Sequence, residues 1–250
     1  MINALEVVEL AGILQRAIGE DVRFSEMFEP PSAQSYREYQ RMLHKLVNDE
    51  WSLPKNAATY GGAAAPGQRT FNLSVYHGLK QAMELAIKRA KIPSLQGWPQ
   101  ALKDELRRPI ETLINQEAIA AYRFAQDVDK IAKRNGGTRA DLGKALRRAD
   151  MWAQRWKEVY EKTMAAALTM QKNLVFLRWD FGKTKEHCRD CARYVGRVYS
   201  AKVWTARGAL PQSRALACRG YRCDCRLVKT TEKPTPGYPP RPMYGDEGTI

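Results

Sequence analysis

Apolar residues recur at steps of three and four through the first two-thirds of the chain, a spacing that predicts helices. Leu5, Val8, Ile13 and Ile18 mark a first amphipathic stretch over 2–18. Pro30 and Pro31 end what precedes them, Ser32 or Ser35 can cap, and Tyr36, Tyr39, Leu43, Leu46 and Val47 form a second stripe. The pattern then breaks over 53–69, a run rich in Gly, Ala and Pro that predicts an exposed loop, centred on 54–69. Helical spacing returns over 73–90, stops at Pro93 and resumes from Pro99, with Leu102, Leu106, Leu113, Ile114, Ala118, Ala121, Phe124 and Val128 in the stripe. Pro109 predicts a kink or break there. The run Arg134 to Thr138 predicts a C-cap and turn, with Gly136 suited to the left-handed position. The longest pattern follows, from Leu142 through Trp152, Trp156, Val159 and Tyr160 to Leu168. A helix over 139–172 would be roughly 50 Å long.

At Asn173 to Gly182 the texture changes to alternating apolar and aromatic residues, the signal of a strand. Beyond Thr230 five prolines and few apolar residues predict an extended tail without a core of its own. The expected organisation is mainly α. A helical domain over 1–172 leads into a small Cys-rich, basic β module over 173–230, and a Pro-rich tail over 231–250 ends the chain.

Composition adds two restrictions. The chain of 250 residues is 44% hydrophobic and 27% charged, as in an ordinary globular protein. It holds no apolar run of about 18 residues, so no membrane span is expected. The first 21 residues lack a basic leader and a small-residue cleavage site. A reducing cytoplasm is therefore expected, where disulfides are rare. The net charge is +14. Residues 178–229 alone carry 13 Lys or Arg against 4 Asp or Glu, a net +9. Such a concentration favours a polyanionic partner, either nucleic acid or an acidic protein surface, over a merely solvated basic face.

All five cysteines lie in the same region, between Cys188 and Cys225. Cys188 and Cys191 form a C-x2-C knuckle, whose spacing lets two thiolates converge on one tetrahedral metal. The run around Cys223 and Cys225 reads as a strand, on which both side chains would point to one face. The residues between, from Ala192 to Trp204, fit a short hairpin turning near Gly196, as in zinc ribbons. Zinc is the expected cofactor. Cys188, Cys191, Cys223 and Cys225 are the first choice of ligands, with Cys218 as substitute and His187 adjacent. The alternatives are reduced cysteines packed as small hydrophobes, or a disulfide pair.

The stretch Trp179 to Leu227, with its "WDFGKTKEHCRDC" opening and "CRGYRCDCRL" close, resembles the C-terminal region of tailed-phage head morphogenesis proteins, the minor head proteins similar to phage Mu protein F. In that family a Cys-x-x-Cys element precedes a closing motif of the His-Pro-x-Cys-Arg-Cys type. Cys188 and Cys191 match the first, and Cys223-Asp224-Cys225-Arg226 matches the Cys-x-Cys of the second. The His-Pro is missing, and Cys218 stands upstream in its place. The resemblance covers about 50 residues. It implies a minor head protein of the virion, made in the host cytoplasm, set near the portal protein and the major capsid protein. It also implies contact with packaged DNA without sequence preference, and oligomeric assembly in the particle.

No catalytic constellation is apparent. The only histidines are His44, His77 and His187, and neither a phosphate loop nor a G-x-S-x-G elbow is present. A non-enzymatic role is expected. The alternative is a zinc-dependent nucleic-acid-binding protein without a virion role. Arg189, Arg193, Arg197, Arg207, Arg214, Arg219, Arg222 and Arg226, interleaved with Tyr194, Tyr199, Trp204 and Tyr221, suit phosphate contact and base stacking.

Overall fold

A computed structural model describes residues 36–52, 66–90, 100–134, 138–171, 174–183 and 186–244. The expected first helix over 2–18, most of the 54–69 loop and the turn at Gly136 lie outside the described residues. Among the described residues four helices come first: α1 (Tyr36–Ser52), α2 (Pro66–Arg89), α3 (Gln100–Arg134) and α4 (Arg139–Thr169). Then follow β1 (Phe176–Asp180), α5 (Arg189–Tyr194), β2 (Val198–Ser200), α6 (Ala201–Ala206) and β3 (Arg226–Lys229). The architecture is mainly helical with a small C-terminal sheet, as the periodicity implied.

The helices α1 to α4 pack around one core that contains Tyr39, Leu43, Leu79, Ile114, Phe124, Trp152 and Val159. Phe71, Phe124 and Trp152 sit at its centre, with the Phe124 and Trp152 ring centroids 4.7 Å apart. Helix α2 approaches α1 closely because Gly78 has no side chain. A Cβ there would lie 2.2 Å from the Tyr39 ring. Thr138 starts α4 as its N-cap, accepting from the Asp141 N–H at 3.2 Å, which satisfies a donor the helix cannot.

Two expectations about the helices are corrected. Of the kink or break expected at Pro109, the break does not occur, because the residue lies inside α3. A proline removes one hydrogen bond, and burial of Leu106 and Ile110 on either side keeps the helix continuous. The expected loop ends before Pro66, because residues 66–69 form the first turn of α2. Proline suits that position, where its missing N–H costs nothing.

The C-terminal module is built on a three-stranded sheet of order β2-β1-β3, with both pairings antiparallel. Its core gathers Trp179, Tyr194, Tyr199 and Trp204, whose rings meet at centroid distances from 4.9 to 5.8 Å. The Trp204 indole donates to the Leu177 carbonyl at 2.9 Å. This second core also includes Ala165 and Leu168 of α4, Leu106 of α3 and Ala90 just beyond α2. Helix α4 therefore lines both cores and carries the module on its C-terminal end.

Two readings of the module are corrected as well. The segment between the cysteine groups is not a hairpin: α5 follows Cys188 directly, and Gly196, at φ +74°, turns the chain from α5 into β2. The strand expected at Cys223 and Cys225 begins only at Arg226. The tail has no core of its own but is laid along the module. The Thr235 N–H donates to the Val198 carbonyl at 2.8 Å, and the Tyr194 hydroxyl to that of Pro240 at 2.9 Å.

Candidate metal centre

The five cysteines come from two segments and meet at one place. Cys188 is the N-cap of α5, its sulfur accepting from the Cys191 N–H at 3.4 Å. A Cys-x-x-Cys run at a helix start thus places both sulfurs on one side, 3.3 Å apart. The second segment arrives through a tight loop in which Arg219, Gly220 and Arg222 all have positive φ. Left-handed arginines are strained, and such strain persists where surrounding structure enforces it. Here the loop turns Cys218, Cys223 and Cys225 towards the knuckle.

The sulfurs fall into two groups, Cys188–Cys191–Cys218 and Cys191–Cys223–Cys225, each within 4.8 Å of one another. No disulfide joins any of them. Cys191, Cys223 and Cys225 are buried, and Cys188 and Cys218 half-buried. The Cys188 and Cys191 sulfurs are close enough to share a proton, which holds the Cys188 thiol well below its usual range and pushes Cys191 well above it. Sulfurs on one tetrahedral zinc are about 3.8 Å apart, given bonds of about 2.3 Å. The chemistry and spacing of the donor set therefore fit a metal ion. His187 stands beside it, with Nδ1 at 3.8 Å from the Cys225 sulfur and its ring stacked on Phe181 at 3.7 Å.

Buried carboxylates fix this arrangement, and the sequence did not mark them out. Asp190, inside the knuckle, is fully buried. It accepts from the N–H groups of Ala217 at 2.8 Å and Met243 at 3.0 Å, and pairs with Arg193 at 3.4 Å. Glu158 on α4 is also fully buried and pairs with Arg155, with Lys162 at 2.9 Å and with Arg214 at 3.9 Å. Burial alone would raise its carboxyl, but Lys162 and Arg155 outweigh that and hold it below the usual range. Lys157 reaches from α4 to Asp224, between two cysteines, at 2.6 Å. Glu161 is pushed up to about 8, first by burial and then by the neighbouring Cys223, against a hydrogen bond from the Leu227 backbone.

The arginines are distributed less uniformly than the sequence implied. Arg189, Arg193, Arg214, Arg219, Arg222 and Arg226 are exposed, while Arg197 and Arg207 are half-buried. Arg207 lies over Tyr238, Arg219 over Tyr244 and Arg222 over Tyr221, at 4.5 to 5.2 Å from the ring centroids. Arg214 is occupied differently, pairing with buried Glu117 and Glu158 and so tying the module to the bundle.

Comparison with models of protein families, with curated proteins and with solved structures finds no match for this chain. Among the described residues no helix is long and apolar enough to cross a membrane.

Proposed function

We propose that this chain is a minor head protein of a tailed bacteriophage, a non-catalytic component near the portal that supports head assembly and the packaging or delivery of DNA. The observation that carries the reading is the meeting of a Cys-x-x-Cys knuckle with a closing Cys-x-Cys loop. They meet on a small aromatic module borne by a helical bundle. The Cys-x-x-Cys and Cys-x-Cys elements, with Trp179, are the residues on which the family resemblance rests. The metal is zinc, held by the cysteine thiolates. Zinc binding contributes about 10–16 kcal/mol of apparent folding free energy in small zinc-finger peptides, a scale that suits a module with only three short strands and two short helices.

In this role the portal protein and major capsid protein are the protein partners, and the exposed arginines face packaged DNA. The test is mass spectrometry of purified heads together with capture by the portal protein. The chain should be present in heads at low copy and bind the portal. The exposure of Arg189, Arg222 and Arg226, with Arg222 over the exposed Tyr221 ring, also favours a second reading, a zinc-dependent nucleic-acid-binding protein outside the virion. Recovery from host cytosol alone, bound to a specific DNA sequence, would establish that reading instead.

A further inference from the structure

The number of ions is a separate matter from their presence, and it rests on the metal reading above. One tetrahedral ion holds four donors that are all mutual neighbours. The five sulfurs are arranged otherwise. Among the described residues they form two sets of three within 4.8 Å, no set of four meets that limit, and Cys191 alone belongs to both sets. Cys191 is 1% exposed and central, with the other four cysteines around it.

We propose that the cluster takes two divalent ions of the zinc type, bridged by the Cys191 thiolate. The first ion would sit among Cys188, Cys191 and Cys218, on the half-buried side, with its fourth position open to solvent. The second would sit among Cys191, Cys223 and Cys225. His187 stands at the Cys225 corner, outside the 4.8 Å set, and would reach this ion only by a small closing movement. Its Nδ1 is 3.8 Å from the Cys225 sulfur, against about 3.6 Å for a nitrogen and a sulfur on one tetrahedral zinc. Phe181 stacks on the imidazole with the rings 9° from parallel, which holds its plane.

Charge supports the same count. Three of the sulfurs are at most 6% exposed, and unpaired charge in such a place is costly. One divalent ion leaves three uncompensated thiolate charges, or two and a spare thiol. Two ions on five thiolates leave a single negative charge, and the five thiol protons pass to the buffer. This assignment also gives all five cysteines a use, where a four-cysteine site leaves one out.

The full-length chain is loaded with cadmium, its metal content measured, and its cadmium NMR spectrum recorded. The expected result is about two ions per chain and two resonances coupled through the shared sulfur, since each ion takes its own donor set. Cys218→Ser should lower the content to about one ion while leaving the far-ultraviolet spectrum intact, and His187→Asn should keep two ions and weaken only the second. Saturation of the unmodified chain at one ion overturns the bridged pair and leaves the single-metal reading standing. A second ion that survives Cys218→Ser, or resonances without coupling, also overturns it. No bound metal at all defeats both readings.

Discussion

The backbone N–H of Ala217 donates to the Asp190 carboxylate at 2.8 Å, which couples the first cysteine knuckle to the loop that carries Cys218. Met243 donates to the same oxygen at 3.0 Å, so one buried side chain holds three segments together. Asp190→Ala would leave both N–H groups without an acceptor. At about 1–3 kcal/mol for each buried unsatisfied group, the loss should total about 2–6 kcal/mol. Asp190→Asn, which keeps one carbonyl oxygen, should lose less. Urea unfolding of the three proteins checks this, and equal midpoints would refute the clamp.

Glu158 ties the module to the bundle through Arg214. Its removal would leave Arg155, Lys162 and Arg214 without their shared buried anion. Breaking one side of a buried pair costs about 3–5 kcal/mol, and Glu158→Ala should fall in that range. A double-mutant cycle with Arg214→Ala should show coupling, because the two side chains belong to one network. Strict additivity would mean that Arg214 does not act through Glu158.

Acid should weaken the same tie. The Glu158 carboxyl is held below its ordinary value of 4.5 in the folded chain. Its stabilising contribution is therefore complete above the unfolded value and is lost as pH falls through the lower folded value. The stability advantage of the unmodified protein over Glu158→Gln should be constant above pH of about 5 and shrink below about 4. Denaturant midpoints measured at several pH values check it. An advantage that grew with acid would reverse the sign and exclude the assignment.

Gly220 is required where it stands. It has φ +75°, and a Cβ there would lie 2.1 Å from the Gln212 carbonyl oxygen. Backbone cannot yield as a flexible side chain can, so Gly220→Ala should displace the loop between Cys218 and Cys223. The expected outcome is at least tenfold weaker metal retention in a chelator competition, the factor that corresponds to about 1.4 kcal/mol. Gly196→Ala is the control. It shares the left-handed φ but meets nothing within 4 Å, so it should lose less.

If the exposed arginines meet DNA, binding should ignore sequence and depend steeply on salt. Each phosphate neutralised adds about −0.9 to the slope of log affinity against log salt, so four contacts give roughly −3 to −4. Affinity should then fall about thirty- to eightyfold between about 50 and 150 mM salt. Replacing Arg189, Arg222 and Arg226 with Ala should flatten the slope and leave the metal in place. A weak response with no salt dependence would assign these arginines to an acidic protein surface.

Helices were the most legible part of the sequence, because a buried face repeats every three or four residues over many turns. The α4 stripe from Leu142 to Leu168 could be read almost to its end. Breaks were read less well. Pro109 signals a break locally, yet the packing of Leu106 and Ile110 overrides it. The module resisted for another reason. Short elements such as α5 and α6, six residues each, have too few turns to establish a period.

At the site, the thiols were legible because all five cysteines crowd into one stretch. Their supports were not. Asp190 and Glu158 look like ordinary surface acids in a chain with many charges, and only the fold shows them fully buried. The one available signal was Asp190 itself, an acid between two ligand candidates. Arg214 could not be told from its neighbours by composition, although it faces inward to Glu117 and Glu158.

The most direct measurement is of metal in the purified chain, followed by its removal. Zinc should remain bound through purification. A strong chelator should then abolish the near-ultraviolet signal of Trp179 and Trp204, while the far-ultraviolet signal of the four long helices largely survives. Cys191→Ser, which takes the central sulfur from both groups, should reproduce that state without chelator. A metal-free chain with the same near-ultraviolet spectrum and the same stability would contradict the account.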